Sequence, residues 1–317
     1  YSVATVNGTA ALHTALLLGG VQNGDEVITQ PLTFVATCNA ISYCGATPVF
    51  VDVEPATLGL SPIMLSEFLE ENADVRDDGL CWDRLTGRII RACLPVHNLG
   101  HPTRISDILE ICRQYNIVLI EDAAESLGSI NQGIHTGRAG LVGILSFNGN
   151  KIITTGGGGA LITDEQEMSV KAKHFTTTSK KSHPWLFLHD QVGYNYRLSN
   201  LNAALGCAQM EQLPMYVERK RHLAESYREW FDEKGTEFMS EPPGVRSNYW
   251  LNAILLKDKE ARDSFLHFTN DHGVMTRPMW TPMHTLPMYQ KCLQGDLTNA
   301  NNIEARLVTI PSSVVDA

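Results

Sequence analysis

Short apolar runs rich in β-branched residues alternate with longer segments of mixed polarity up to about residue 175. Such runs are too short for helices and suit strands buried on both faces, while the segments between them are long enough to cross back over a sheet. The pattern predicts strands at Glu26 to Thr29, Pro48 to Val51, Arg91 to Pro95, Ile117 to Ile120, Ile144 to Phe147 and Ala160 to Thr163. Helices such as Thr33 to Tyr43 and Ile105 to Tyr115 fall between them. Strands and helices in this alternation form a mostly parallel sheet with helices on both faces, an α/β architecture.

Beyond that point the pattern changes. Leu201 to Lys234 is charged and periodic and predicts one long helix leaving the large domain, with a break or kink at Pro214, where a backbone donor is lost. Tyr249 to Leu256 then reads as a strand and Ala261 to Asn270 as a helix of a smaller C-terminal domain. The expected division is therefore a large domain over 1–212 and a small one over 213–317, consistent with the size at which single cores stop growing. Asn72 to Arg88 is polar, mixed in charge and expected to form a surface excursion turning at Gly79 and Gly87. Val27 to Val51 carries no charged residue, but Pro31, Asn39, Gly45 and Pro48 interrupt it, so strand, loop, helix and strand are expected there rather than a membrane span. The opening shows no basic region and cleavage site of a secretory signal.

Charge and cysteine usage narrow the function classes. A formal net charge of -10 argues against sequence-independent nucleic-acid binding, which needs a basic surface. The seven cysteines are scattered and never form a C-x-x-C pair, so neither a disulfide framework nor a zinc site is expected and a reducing cytoplasm is the simplest home. His97, His101, His174, His183, His189 and His284 form no convincing ligand pair, so no metal is expected.

Four places carry candidate chemistry. In Ser146-Phe147-Asn148-Gly149-Asn150-Lys151 a lone lysine follows an apolar run and precedes the glycines Gly156 to Gly159. A Schiff-base enzyme needs such an amine, desolvated yet able to swing. Upstream, Asp122 stands at the carboxyl end of the Ile117 to Ile120 run, where open α/β sheets handle ligands, and a carboxylate there can keep a pyridine nitrogen cationic. Asn7-Gly8-Thr9 opens a helix whose N–H groups form an anion site, and Phe34 could lie flat on a planar ring. Each has a plainer reading: a solvated lysine, a helix-capping aspartate, a simple Gly-Thr cap, a core aromatic.

In this order the pieces resemble the DegT/DnrJ/EryC1/StrS family, pyridoxal phosphate-dependent nucleotide-sugar aminotransferases of the aspartate aminotransferase fold (fold type I). The likeness runs through Asn7 to Leu12, Leu32 to Asn39, Thr47 to Val53, Pro95 to Pro102, Glu121 to Gly128, Ser146 to Gly159 and Gly193 to Leu198 with Asn202 to Ala204. The wording Ser146 to Lys151, with Glu125 and His189-Asp190 to Arg197, is most similar to aminotransferases that make 4-amino-4,6-dideoxy sugars for bacillosamine, legionaminic acid and related bacterial surface glycans.

The resemblance implies roles. Lys151 would anchor pyridoxal 5'-phosphate covalently and serve as acid and base, and Asp122 would hold the pyridine nitrogen. Phe34 would stack on the ring, and Gly8, Thr9 and Ser146 would hold the phosphate. Glu125 stands three residues after Asp122, beside the cofactor's phenolic oxygen, where a carboxylate is a departure from the usual side chain. Asn195 would reach the phosphate of a neighbouring subunit, so that two chains share each site in a homodimer. The implied reaction turns a nucleotide-linked 4-keto-6-deoxy sugar, a UDP-2-acetamido-4-keto-2,6-dideoxyhexose, into the 4-amino sugar with L-glutamate as amino donor. The alternatives are a sugar dehydratase of the same fold, in which a histidine usually replaces the lysine, and a catalytically silent sensor or scaffold. Likeness to the family also leads us to expect further residues beyond both Tyr1 and Ala317.

Overall fold

A computed structural model describes residues 1–314, so the last three residues of the expected C-terminal domain lie outside the described residues. Its main layer is a seven-stranded sheet of Ser2–Thr5 (β1), Glu26–Thr29 (β2), Thr47–Phe50 (β3), Ile90–Leu94 (β4), Val118–Asp122 (β5), Val142–Ser146 (β6) and Gly159–Ile162 (β7). The order across the sheet is β1-β7-β6-β5-β4-β2-β3. From β6 to β3 every neighbour is parallel, whereas β7 runs antiparallel to both β6 and β1.

The strands follow the apolar runs because both sheet faces are covered. Ile120, Ile144 and Leu161 pack with Leu12, Leu16 and Ile41 on one face, and Ile28, Val49 and Leu119 pack with Leu65, Leu69 and Ile108 on the other. Each such side chain contributes about 1.5–3 kcal/mol when fully buried. The helices that supply these contacts are Gly8–Leu18 (α1), Ala36–Tyr43 (α2), Pro62–Asn72 (α3) and Ile105–Gln114 (α4). Strand β1 was not foreseen, because a four-residue edge strand has too little pattern to announce itself; it is positioned by pairing of Val3 with Leu161.

Two-stranded pairing of Ala73–Val75 with Cys81–Asp83 makes the polar excursion a hairpin, with positive φ at Gly79 (76°) and Gly87 (66°) as its turns require. After Gln166–Thr176 (α5), the long helix Asn200–Lys234 (α6) is 35 residues long and ends on Gly235 at φ 68°. It runs through Pro214 without a break. Pro214 and Met210, whose carbonyl loses its donor, are both exposed, so water can satisfy that group. The expected division at residue 212 falls inside this helix.

Following α6, Glu237–Phe238 (β8), Asn252–Leu255 (β9), Arg277–Pro278 (β10) and Leu307–Ile310 (β11) form an antiparallel sheet in the order β8-β9-β11-β10. Helices Lys259–Asp271 (α7) and Thr298–Arg306 (α8) accompany it. The strand expected from Tyr249 starts only at Asn252, since Tyr249 has φ 47° and bends the chain first. No helix among the described residues is long and apolar enough to cross a membrane.

Candidate active site

The carboxyl ends of the parallel strands point to one edge of the sheet, where a cavity of about 360 Å³ opens. Gly8, Thr9, Phe34, Asp122, Glu125, Ser146 and Lys151 all line it. Seven of the eight residues singled out from sequence, spread over more than 140 positions, are thus brought together. The eighth, Asn195, is exposed, bridges to Thr177 and accepts from Arg197 at 3.2 Å, and it does not line this cavity.

Asp122 ends β5 and is 3% exposed. Its Oδ2 accepts from Thr37 Oγ1 at 2.8 Å and its Oδ1 from the Ala124 N–H at 3.1 Å. Burial raises this carboxyl above its ordinary range, opposed by those two donors and by the charge of Lys151. Each oxygen keeps a lone pair for a further donor.

Ser146 ends β6 directly against the first turn of α1. Asn7 caps that helix by accepting from the Ala10 N–H at 2.7 Å, which leaves the N–H groups of the first turn at the cavity. A Cβ on Gly8 would stand 3.0 Å from the Ser146 Cβ, so glycine permits this approach. A Cβ on Gly159 would come within 2.6 Å of the Asn7 backbone. The glycine run therefore serves close approach of β7 to the helix start, with a tight turn at Gly156 (φ 75°).

Lys151 rides on the loop between β6 and β7, closed at its base by Phe147 N–H to Gly158 O (2.8 Å) and Thr155 N–H to Phe147 O (3.0 Å). Ile152 and Ile153 anchor the following turn in a core with Leu145 and Val217. The Lys151 Nζ lies 3.6 Å from Glu125 Oε1 and 3.8 Å from the centre of the Trp250 ring. The other Glu125 oxygen accepts from the Leu99 N–H at 2.8 Å. Burial pushes the Glu125 carboxyl up to about 7, against the attraction of Lys151.

Phe34 is 54% exposed and meets Trp280 edge-on with ring centres 6.5 Å apart. Trp250, Trp280 and Thr37 were not identified from sequence. Thr37 lay inside a matched segment without a role, and the two tryptophans had no local motif. Of the histidines, His97 is fully buried and pairs with Glu121 at 3.0 Å, a structural use behind the site.

The model of the DegT/DnrJ/EryC1/StrS aminotransferase family matches residues 1–315. This chain belongs to that family. A GDP-perosamine synthase of Escherichia coli O157:H7 is 36% identical over 312 residues, covering 98% of this chain and 80% of that protein. EpsN of Bacillus subtilis strain 168, provisionally named a pyridoxal phosphate-dependent aminotransferase, is 37% identical over 293 residues, 92% of this chain and 72% of that protein. The crystal structure of the aminotransferase TlmJ from Streptoalloteichus hindustanus superposes with a TM-score of 0.87 at 29% identity, covering 98% of this chain and 80% of that one. The family, the fold, the enzyme class and the cofactor expected from the sequence are those of pyridoxal phosphate-dependent aminotransferases. The residues present suit that cofactor: an amine in the cavity, a buried carboxylate with acceptor capacity left, and a helix N-terminus beside a serine hydroxyl.

Proposed function

We propose that the protein transfers an amino group from L-glutamate to the keto carbon of a nucleotide-linked 4-keto-6-deoxy sugar, giving the 4-amino sugar for surface-glycan synthesis in the cytoplasm. The observation that carries this reading is Lys151 Nζ and the buried Asp122 carboxylate facing one cavity at whose rim α1 begins. Bound pyridoxal phosphate supplies the electron sink for the exchange. Lys151 would hold it covalently and, as the freed neutral amine, would take the Cα proton of the donor at Nζ. Asp122 stabilises a proton on the ring nitrogen, and its burial keeps water from screening that charge. Gly8, Thr9 and Ser146 bind the phosphate, Phe34 covers one face of the ring, and Glu125 lies beside the phenolic oxygen. We assign these tasks to residues 1–212, with 213–317 as the smaller domain.

The nucleotide is where two readings part. The sequence wording suggests a UDP-linked 2-acetamido sugar, while similarity to a GDP-perosamine synthase favours a GDP-linked one. The test loads the full-length protein with pyridoxal phosphate, adds L-glutamate, follows the absorbance change, and then offers GDP- and UDP-linked 4-keto-6-deoxy sugars. Conversion of one to an amino sugar selects the nucleotide; no spectral response to any amino donor sinks the assignment.

The working unit we propose is a homodimer sharing its sites. Trp185, Phe187, Val192 and Leu201, which flank Asn195 in the sequence, are 77%, 82%, 79% and 87% exposed, apolar surface that a partner subunit would cover. Mixing inactive Lys151→Ala and Asn195→Asp subunits should restore activity through sites with both native residues. A mixture that stays inactive after confirmed subunit exchange rejects shared sites.

A further inference from the structure

Trp250 has no place in the roles assigned above, yet it is fixed from three sides. Its N–H donates to Asn248 Oδ1 at 2.8 Å, its carbonyl accepts from the buried Lys220 Nζ at 3.0 Å, and its indole N–H donates to the carbonyl of Asn150 at 2.7 Å. Asn150 is the residue before Lys151, so the indole also sets the register of the loop that carries the lysine. Asn248, through its Nδ2, donates to the carbonyl of Glu125 at 3.0 Å. The aromatic ring and the Glu125 carboxylate are therefore held in one frame, with the Lys151 Nζ between them, 3.8 Å from the ring centre and 3.6 Å from the carboxylate. Trp280 lies nearly parallel to the Trp250 ring, with ring centres 6.4 Å apart and planes 20° from each other.

We infer that Trp250 is a positioning residue that parks the ammonium of Lys151 on its ring face once the lysine, released from the cofactor as a neutral amine, has taken up a proton. This rests on the transamination reading. A released lysine on a flexible side chain has many rotamers, and most of them take Nζ away from the donor Cα. An ammonium over an indole face is attracted by the ring's quadrupole, more strongly when water is excluded, and the Lys151 side chain is only 12% exposed. The contact is reversible and forms no bond, so the lysine can leave for the next proton transfer.

The test reads Lys151 acetylation in the full-length holoenzyme loaded with pyridoxamine phosphate, the form in which the lysine is free. Acetic anhydride is added at fixed pH, and the modified peptide is quantified by mass spectrometry. Trp250→Leu keeps apolar bulk without the face and should raise the rate by roughly 2- to 30-fold, whereas Trp250→Phe keeps a face and should stay within about threefold of the native protein. Should the leucine variant fail to fold, mono-, di- and tetrafluorotryptophan placed at 250 preserve shape while depleting the ring face, and the rate should climb with each step. Equal rates in Leu and Phe variants, or a flat fluorination series, overturn the inference. Borohydride reduction of the native pyridoxal phosphate form decides the underlying reading separately, since loss of a link to Lys151 there would reject transamination itself.

Discussion

On one side of the cavity stand Asp122, Ser146 and the first turn of α1, each at the end of an element of the seven-stranded sheet or its helices. On the other stand Trp250 and Trp280, irregular residues flanking the small antiparallel sheet. The first wall is polar and carries fixed charge and N–H groups whose positions follow from where strands stop and a helix begins. The second is aromatic and is held by long-range hydrogen bonds such as those of Asn248 and Lys220. We propose that a site built this way separates tasks, with the sheet wall carrying the chemistry and the aromatic wall setting where flexible groups rest.

If that separation holds, the largest effect belongs to the group both walls touch. Lys151→Ala should lower turnover below detection and leave any bound cofactor without a borohydride-reducible link; an intact link would remove Lys151 from its role. Next comes the sheet wall alone. Asp122→Asn retains shape and loses charge, so turnover should fall by roughly 10²- to 10³-fold or more while cofactor still binds, measured by single-turnover kinetics and absorbance titration. Near-native turnover would mean that this wall does not carry the charge.

Glu125 sharpens the comparison through pH. Its carboxyl is pushed from 4.5 up to about 7 by burial, so between those values the folded protein holds a proton that the unfolded chain has released. Stability from this group is present below about pH 4.5 and lost as pH rises through about 7, on the order of 3 kcal/mol across the window. Glu125→Gln should remove that loss, so that denaturant midpoints of cofactor-free mutant and native protein diverge in the mutant's favour from pH 4.5 to 7. Parallel curves would show that Lys151 and the Leu99 N–H offset the burial.

The smallest effect tests the aromatic wall. Trp280→Leu should raise KM for the nucleotide sugar by roughly 2- to 12-fold with kcat and cofactor loading unchanged, as expected for a lost stacking surface. A drop in cofactor loading instead would give this wall a share in holding the cofactor.

Legibility divides along the same line. Lys151, Asp122 and Gly8 could be found because each sits in a local pattern: an amine before glycines, a carboxylate ending an apolar run, a turn opening a helix. Trp250 lies 99 positions beyond Lys151 and meets it through bonds between remote segments, from its indole N–H to Asn150 and from Asn248 to Glu125. At Pro214 a break is avoided for a related reason. Its local rule is sound, but solvent around an exposed turn of α6 satisfies what proline removes. The role we propose for Asn195 depends on a second chain, which the mixing experiment tests.

By itself, the sequence determined the alternation of elements, the strand ends at which chemistry is placed and the family to which the chain belongs, since these follow from short-range periodicity, turn residues and ordered motifs. Only the tertiary structure decided that β1 joins β7 at the edge, that Gly8 allows α1 to meet Ser146, and that an aromatic face lies beneath the lysine. Periodicity decides which face of an element is buried. Which distant side chain meets it there depends on how the whole sheet and its crossings close in space, and no local stretch of chain contains that information.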